Sequence, residues 1–219
     1  MQAKETIYQT IDHLFRHESG KMIAVLSRFL GLKYLETAQD IVQDTLLQAM
    51  TSWSYAGVPE NPSAWLYRVA KNKAIDHLRH DKKFREISPQ YNSLLQSENG
   101  AIPLISELFL ENEIQDSQLR MIFACCHPVI PQESQIALAL KTLCGLSVSE
   151  IARAFLTNEE TIAKRIYRAK EKIRSEKIEL ELPSGEELPK RLDAVLRSLY
   201  LLFNEGYNSS NPDHLIREE

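Results

Sequence analysis

Residues 147–174 read SVSEIARAFLTNEETIAKRIYRAKEKIR and contain the signals of two short helices joined by a tight turn. Ser147 and Glu150 fit the S-x-x-E pattern of a capping box, in which the hydroxyl accepts from the third helical N–H while the glutamate accepts from the cap's own N–H. Thr157 and Glu160 repeat this pattern as T-x-x-E. The repeat predicts two helices that start ten residues apart, so the first has little more than two turns.

The second predicted helix has an apolar face and a basic face. Its apolar residues recur at helical spacing and are Ile162, Ile166, Ala169 and Ile173. Lys164, Arg168 and Lys172 recur every fourth residue and therefore share the roughly opposite face. A short helix, a turn and a basic second helix indicate a helix-turn-helix, whose second helix enters the DNA major groove. The alternative is a solvated amphipathic helix that contacts no DNA, because basic helices are often simply surface helices.

The composition predicts a helical protein. The chain has 219 residues, of which 43% are hydrophobic, enough for sizeable cores, and it contains only seven glycines and few alternating β-branched runs. We predict an all-α fold of two helical domains joined by a linker and followed by a C-terminal helix. The first residues lack the apolar segment of a signal peptide, and no apolar run is long enough to span a membrane. We therefore expect a cytoplasmic protein.

The net charge of −4 hides a segregation of charge along the chain. Basic residues concentrate in 66–85 and 161–177, whereas 36–60 and 98–116 contain acids and neither Lys nor Arg. Binding of phosphates depends on the local potential and not on the net charge. The acidic balance therefore does not exclude a nucleic acid partner.

The sequence offers no site for catalysis. Cys125, Cys126 and Cys144 are too few for a disulfide framework. Cys125, Cys126 and His127 form a weak zinc candidate, because adjacent cysteines do not easily ligate one ion and no C-x-x-C pair occurs; buried thiols are the better interpretation. H-E-x-x-H, G-x-S-x-G and Gly-rich phosphate motifs are absent from the sequence. We predict a non-enzymatic protein with no metal and no cofactor.

The first half of the chain is predicted to be a helical domain with a basic last helix. Apolar periodicity predicts two helices within residues 5–30, broken near 18–21, and a third helix at about 37–52. Gly57 and prolines mark residues 54–63 as a loop before the next helix, which is basic and flanked by aromatic residues. Cations beside aromatic rings suit single-stranded DNA, although tryptophans are more often core residues.

Two segments together resemble a known family. Residues 40–50, DIVQDTLLQAM, and residues 61–80, NPSAWLYRVAKNKAIDHLRH, resemble region two of the extracytoplasmic-function sigma factors of bacterial RNA polymerase. The family pattern A-x-N-x-x-x-D-x-x-R is present as Ala70, Asn72, Asp76 and Arg79. The helix-turn-helix, with residues 118–152 before and within it, resembles region four of the same family. The resemblance covers roughly residues 5–178.

This resemblance implies four segments. They are a region 2-like domain at 1–85, an acidic linker at 86–115, a region 4-like domain at 116–178, and the start of a C-terminal helical extension at 179–219. Residues 188–210 resemble the extension of one subgroup of the family, in which it usually continues further, so we expect a short or truncated member. The linker is either a flexible tether or, as in the family, a segment that threads the polymerase channel. Its residues 106–114, SELFLENEI, are also a candidate for a short helix that packs against one of the domains.

The resemblance also implies a function and a set of site residues. The chain would bind core RNA polymerase and direct promoter recognition, DNA melting and transcription initiation. The residues expected to bind core polymerase are Asp40, Gln43, Asp44 and Gln48. Those expected at the minus-ten element are Tyr55, Asn61, Arg68, Lys71, Asn72, Asp76 and Arg79. Those expected on the recognition helix at the minus-thirty-five element are Glu160, Thr161, Lys164, Arg165, Arg168 and Lys172.

Other interpretations remain open at this point. An ordinary helix-turn-helix regulator would not bind core polymerase, and it would need a ligand-binding or receiver domain in residues 1–85, where no strand–helix alternation is found. A scaffold that binds only protein is a further alternative. An anti-sigma partner or intramolecular regulation by the extension would fit the family. The predicted helix at 188–207 is too apolar to stand alone, so we expect it to pack on the chain's own domains and favour a less active arrangement.

Overall fold

The computed structural model describes residues 2–80 and 105–207, and the chain divides into two compact units, 1–117 and 118–219. The helices, in chain order, are α1 Gln2–Leu30, α2 Leu35–Ala56, α3 Pro62–His80, α4 Glu111–Cys125, α5 Gln132–Leu143, α6 Val148–Ala154, α7 Glu159–Ser175 and α8 Glu187–Tyr207. A 3-10 turn at Leu32–Tyr34 precedes α2. No strand occurs among the described residues, and the predicted all-α class is confirmed.

In the first unit, α1, α2 and α3 pack on one another around a common core. The large side chains that this core encloses completely include Met22, Leu26, Trp53, Leu66 and Leu78. The ring of Trp65 meets Trp53 edge-on, with centroids 5.4 Å apart, so Trp53 is a core residue and not a stacking platform.

The predicted break between two helices near residues 18–21 is wrong, because α1 continues through Gly20 to Leu30. A glycine inside a helix costs about 1 kcal/mol relative to alanine, and that loss is easily offset by burial. Met22, Val25 and Leu26 beyond the glycine are completely buried and continue the core face of the helix. The chain turns instead at Gly31, whose φ of 93° suits a residue without a Cβ.

In the second unit, α7 packs against α5 and α6. It buries the four predicted apolar residues, which are Ile162, Ile166, Ala169 and Ile173. The C-terminal helix α8 also packs on α5 and places Ala194 and Val195 beside Phe123 and Cys126. The extension therefore belongs structurally to the second unit, with its described part covering an apolar surface there.

The capping residues define the turn of the helix-turn-helix. The box predicted at Ser147 is confirmed: Ser147 Oγ accepts from the Glu150 N–H at 3.1 Å, and the Ser147 N–H donates to Glu150 Oε2 at 2.7 Å. The box predicted at Thr157 is wrong by one residue, because the N-cap of α7 is Asn158, whose Oδ1 accepts from the Thr161 N–H at 2.8 Å.

The backbone of the turn explains this shift. Leu156 adopts a left-handed conformation with φ 51°, and its N–H donates to the Arg153 carbonyl at 3.0 Å. The Thr157 N–H donates to the Ala152 carbonyl at 2.9 Å. These two bonds form a Schellman motif, so Thr157 closes α6 and leaves the next residue to begin α7.

Candidate nucleic-acid interface

The outward face of α7 is an exposed row of charged side chains. Lys164 pairs with Glu160 at 2.6 Å on the same helix, and the two side chains are 64% and 76% exposed. Lys172 pairs with Glu176 at 3.3 Å in the same way. Exposed pairs of this type contribute at most about 1 kcal/mol, so a phosphate can replace the carboxylate at little cost. Arg168 is exposed on the same face, and Thr161 is half-buried in the first turn.

Arg165 differs from the other cations predicted on this helix. Its side chain is only 22% exposed and forms an ion pair with Glu133 of α5. Its guanidinium also lies 5.6 Å from the centre of the Phe155 ring. Arg165 therefore ties α7 to its neighbours in the helix-turn-helix, a role that the spacing along α7 alone does not reveal.

On α3, most of the predicted minus-ten residues are exposed along one side of the helix. The exposed residues of that set are Arg68, Asn72, Asp76 and Arg79. The Arg79 guanidinium lies 3.7 Å from the Asp76 carboxylate. Lys71 is half-buried, and its Nζ donates to Ser106 Oγ at 3.0 Å.

The turn between α2 and α3 is shorter than the predicted loop, because α2 continues to Ala56 and includes Ser54 and Tyr55. Tyr55 is 90% exposed in the last turn of α2, where its ring is available for stacking. Asn61 begins α3: its Oδ1 accepts from the Ala64 N–H at 2.9 Å. Asn61 therefore acts as a helix cap, whatever else it contacts.

A polar cluster around Glu18 fixes the beginning of α3 against α1, and sequence reasoning missed it. Glu18 is only 8% exposed, and its carboxylate accepts from Ser63 Oγ at 3.1 Å and from the Tyr67 hydroxyl. Lys21 Nζ lies 3.5 Å from the same carboxylate. Burial, followed by the hydrogen bond to Glu18, raises the pKa of Tyr67 well above its usual value. No local pattern joins Glu18 to Ser63, which follows it by 45 residues.

The four residues predicted to bind core polymerase share an exposed face of α2. They are Asp40, Gln43, Asp44 and Gln48. Leu47 lies among them and is 59% exposed. A groove lined by Phe15, Leu47 and Met50 adjoins this face, so α2 combines exposed acids with an apolar contact area.

Two of the three thiols in the second unit, those of Cys125 and Cys126, are core groups, and that of Cys144 is half-buried. Burial raises the pKa of Cys125 well above its usual value and that of Cys126 to about 11, so both thiols remain protonated at neutral pH. Protonated thiols in an apolar core are poor ligands for a metal ion. Within the described ranges, no three potential ligands come close enough to hold a metal. A membrane-spanning helix was not found in that part of the chain either.

Comparison with known families matches both units. The family model of Sigma-70 region 2 matches residues 14–84, and that of Sigma-70, region 4 matches residues 120–173. These matches cover the bundle that contains α3 and the helix-turn-helix that contains α7.

Individual sigma factors are also similar to this chain in sequence. The chain is 30% identical over 138 residues to the ECF RNA polymerase sigma-E factor of Escherichia coli (strain K12), with 61% of this chain and 70% of that protein aligned. It is 26% identical over 141 residues to the RNA polymerase sigma factor SigV of Bacillus subtilis (strain 168), with 64% and 76% aligned.

A longer relative is more similar in sequence. The uncharacterized protein R00370 of Rhizobium meliloti (strain 1021) is 36% identical over 177 residues, which are 81% of this chain. The chain spans only 41% of the length of that protein. No solved structure matches the chain.

Proposed function

Because the chain belongs to the extracytoplasmic-function branch of the sigma-70 family, we propose that it binds core RNA polymerase and directs promoter recognition, DNA melting and transcription initiation. One observation carries the proposal: a region 2 match on a three-helix bundle and a region 4 match on a helix-turn-helix occur in one chain and in this order. The chain acts in the cytoplasm as a binding protein, without a catalytic site or a cofactor of its own.

The minus-thirty-five element is read by α7. Residues at the start of a recognition helix reach base edges, which gives this role to Glu160 and Thr161. Lys164, Arg168 and Lys172 bind backbone phosphates and set the register on the duplex. Arg165 supports the helix through Glu133 and contributes its charge to the same surface.

The minus-ten element is captured by the first unit. The exposed ring of Tyr55 stacks on an unstacked base, while Arg68, Asn72 and Arg79 hold the strand and the adjacent duplex. Taking a base out of the stack costs a few kcal/mol, which contacts with the protein offset. This exchange suits a protein that helps to open DNA.

Core polymerase docks on the exposed face of α2. Asp40 and Asp44 pair with a basic partner helix, and the amides of Gln43 and Gln48 donate and accept hydrogen bonds beside them. The exposed side chain of Leu47 supplies apolar area at the centre of this face. In this arrangement the partner is the coiled-coil clamp of the largest polymerase subunit.

The extension regulates the factor from within, by holding the second unit in a less active form. Its packing supports this role, since Val195 of α8 is only 6% exposed and lies with Phe123 in an apolar cluster. Val195→Ser should loosen α8 and raise initiation with core polymerase. Leu199→Ser, on the exposed side of the same helix, is the matched control. Equal initiation by both variants would leave an external anti-sigma partner as the candidate regulator.

Reconstituted transcription tests the proposed function. Purified chain and core polymerase are incubated with a library of genomic fragments, and the transcript starts are mapped. We expect discrete starts that share two upstream elements and disappear without the chain. Polymerase binding without initiation would indicate an autoinhibited form, and no polymerase binding would favour the ordinary helix-turn-helix regulator.

Variants locate the two surfaces within this assay. Arg168→Glu should lower affinity for a duplex promoter fragment at least about tenfold, because it replaces a phosphate contact with repulsion, while polymerase binding is retained. Asp44→Arg should weaken polymerase binding and leave the affinity for the duplex fragment unchanged. Arg197→Glu, which reverses an exposed charge on α8 outside both surfaces, is the control for charge alone.

A further inference from the structure

Residues 105–117, which we call the acidic strap, belong to the first unit, the unit that contains α3, and include the first two turns of α4. The strap carries Glu107, Glu111, Glu113 and Asp116 and neither Lys nor Arg. Two apolar side chains anchor it: Ile105 is 0% exposed and Ile114 is 2% exposed. Burying two isoleucines this completely holds the segment in a defined place and does not leave it as a free tether.

The strap contacts α3 at Lys71, one of the residues expected to meet DNA, and at Tyr67, one turn earlier on the same helix. Lys71 Nζ donates to Ser106 Oγ at 3.0 Å, which makes Lys71 the half-buried member of an otherwise exposed set. The Phe109 ring lies on Tyr67, with centroids 5.1 Å apart and planes inclined by 32°. The hydroxyl on the lysine and the ring on the tyrosine are a hydrogen-bonding oxygen and an aromatic face, the two kinds of contact that a single strand makes through its phosphates and bases.

The strap also forms ion pairs with α1. Arg28 Nη1 lies 2.8 Å from Glu113 Oε2 and 3.0 Å from Asp116 Oδ2, and all three side chains are about one-third exposed or less. The carboxylate of Glu111 acts on Tyr67 as well, because its charge contributes to the raised pKa of that hydroxyl. The carboxylates of the strap therefore lie at Arg28 of α1 and, for Glu111, near Tyr67 of α3.

We propose that the acidic strap is an intramolecular competitor for single-stranded promoter DNA on α3, and that DNA must displace it to reach Lys71 and Tyr67. The inference rests on the proposed function, since it assumes that α3 binds the strand. The strap offers α3 the same kinds of contact as the ligand, with the Ser106 hydroxyl in place of a phosphate oxygen on Lys71 and the Phe109 ring in place of a base on Tyr67. Its affinity is limited because the ion pairs remain partly solvated. A ligand that binds only the uncovered form shifts this equilibrium by its difference in affinity for the two forms.

The competition predicts that weakening the strap strengthens DNA binding. The full chain is titrated into a fluorescein-labelled dT15 oligonucleotide, and anisotropy is measured at fixed salt. Two variants release the strap differently: Glu113→Gln with Asp116→Asn removes the ion pairs, and Phe109→Ala removes the ring contact without changing charge. Both should bind about three- to tenfold more tightly than the wild type. Glu179→Gln with Glu181→Gln removes two exposed acids elsewhere and is the control for net charge.

Hydrogen exchange supplies a direct readout of displacement. Residues 111–117 form the first two turns of α4, and their amides should exchange faster when dT15 is bound, because these turns then lose the tertiary contacts that stabilise them against local unfolding. Equal affinities of wild type and both strap variants, or unchanged protection of 111–117 in the bound chain, would refute the strap proposal. Start-site-specific transcription with core polymerase tests the proposed function separately, so failure of the strap proposal can be distinguished from failure of the proposed function.

Discussion

The two basic helices α3 and α7 reach similar surfaces by different routes. The exposed cations of α7 pair mainly with acids one turn away on the same helix, as Lys164 does with Glu160. On α3, Arg79 has such a local partner, Asp76, whereas Tyr67 and Lys71 are held by Glu18 and Ser106 from distant parts of the chain. The surface of α7 is therefore a local property of its sequence, whereas that of α3 depends on the packing of the whole first unit.

The largest expected effect comes from removing one core side chain under each helix. Leu66 and Ile162 are both 0% exposed, so Leu66→Ala and Ile162→Ala should each destabilise their own unit by about 2–5 kcal/mol. Both tryptophans, Trp53 and Trp65, lie in the first unit, so their fluorescence follows that unit while far-UV circular dichroism follows both. Leu66→Ala should shift the fluorescence midpoint in urea, and Ile162→Ala only the dichroism. A fluorescence shift in Ile162→Ala would show that the units unfold together.

A second expected effect concerns the long-range contact on α3. Tyr67→Phe removes the hydroxyl from Glu18 and should destabilise the first unit by about 1–3 kcal/mol at neutral pH. The raised pKa of Tyr67 also has a consequence in alkali: above the unfolded value of 10.0, the unfolded state loses a proton that the folded state retains.

Stability of the first unit should therefore be complete below about pH 10 and fall by up to about 1.4 kcal/mol per pH unit above it. Tyr67→Phe should remove this component from the pH profile of the fluorescence midpoint. Tyr55→Phe is the control, because that ring is 90% exposed. Parallel alkaline profiles for wild type and Tyr67→Phe would contradict the assigned coupling.

The same contrast explains which features could be predicted from the sequence. The buried stripe of α7 was predicted correctly because helical periodicity is local, and the Ser147 capping box was predicted for the same reason. The cap at Asn158 was assigned to its neighbour because the left-handed residue before it, Leu156, is not a glycine and gave no signal. The matched regions confirm the family, while the individual roles of the site residues remain predictions.

Features of α3 escaped prediction because they are not local. Residues 18–21 were predicted to be a break between helices, since they include a glycine. Only the contacts of Glu18 with Ser63 and Tyr67 show that this side chain is a buried anchor for α3. For the strap, a short helix against one of the domains was one prediction beside a tether, but its partners on α1 and α3 could not be predicted because they lie elsewhere in the chain. Residues 81–104, the remainder of the predicted linker with the end of the region 2-like segment, lie outside the described residues.

A smaller effect is expected at the N-cap of α7, which is a local feature of the sequence. Asn158→Ala should destabilise the second unit by about 1 kcal/mol, because the Thr161 N–H loses its acceptor. Thr157→Ala is the matched control, and it should have a clearly smaller effect if Thr157 contributes only its backbone N–H to the turn. Thermal unfolding followed by far-UV dichroism measures both. A larger loss of stability in Thr157→Ala would show that the Thr157 side chain caps α7, as the sequence pattern predicted.

The smallest expected effect is a loss of stability of the second unit in acid, which the first unit should not share. Burial, followed by the charge of Arg191, lowers the pKa of His127 below its usual value of 6.5. As the pH falls below about 6.5, the unfolded state therefore takes up a proton that the folded state does not, and stability falls by about 1 kcal/mol or less. His127 Nδ1 accepts from the Val129 N–H at 3.3 Å, and the side-chain oxygen of an asparagine can replace it as acceptor. His127→Asn should therefore remove the loss of stability in acid, as followed by far-UV dichroism. Fluorescence of the first unit should be unaffected by the substitution, so a change in that signal would show that the histidine acts beyond its own unit.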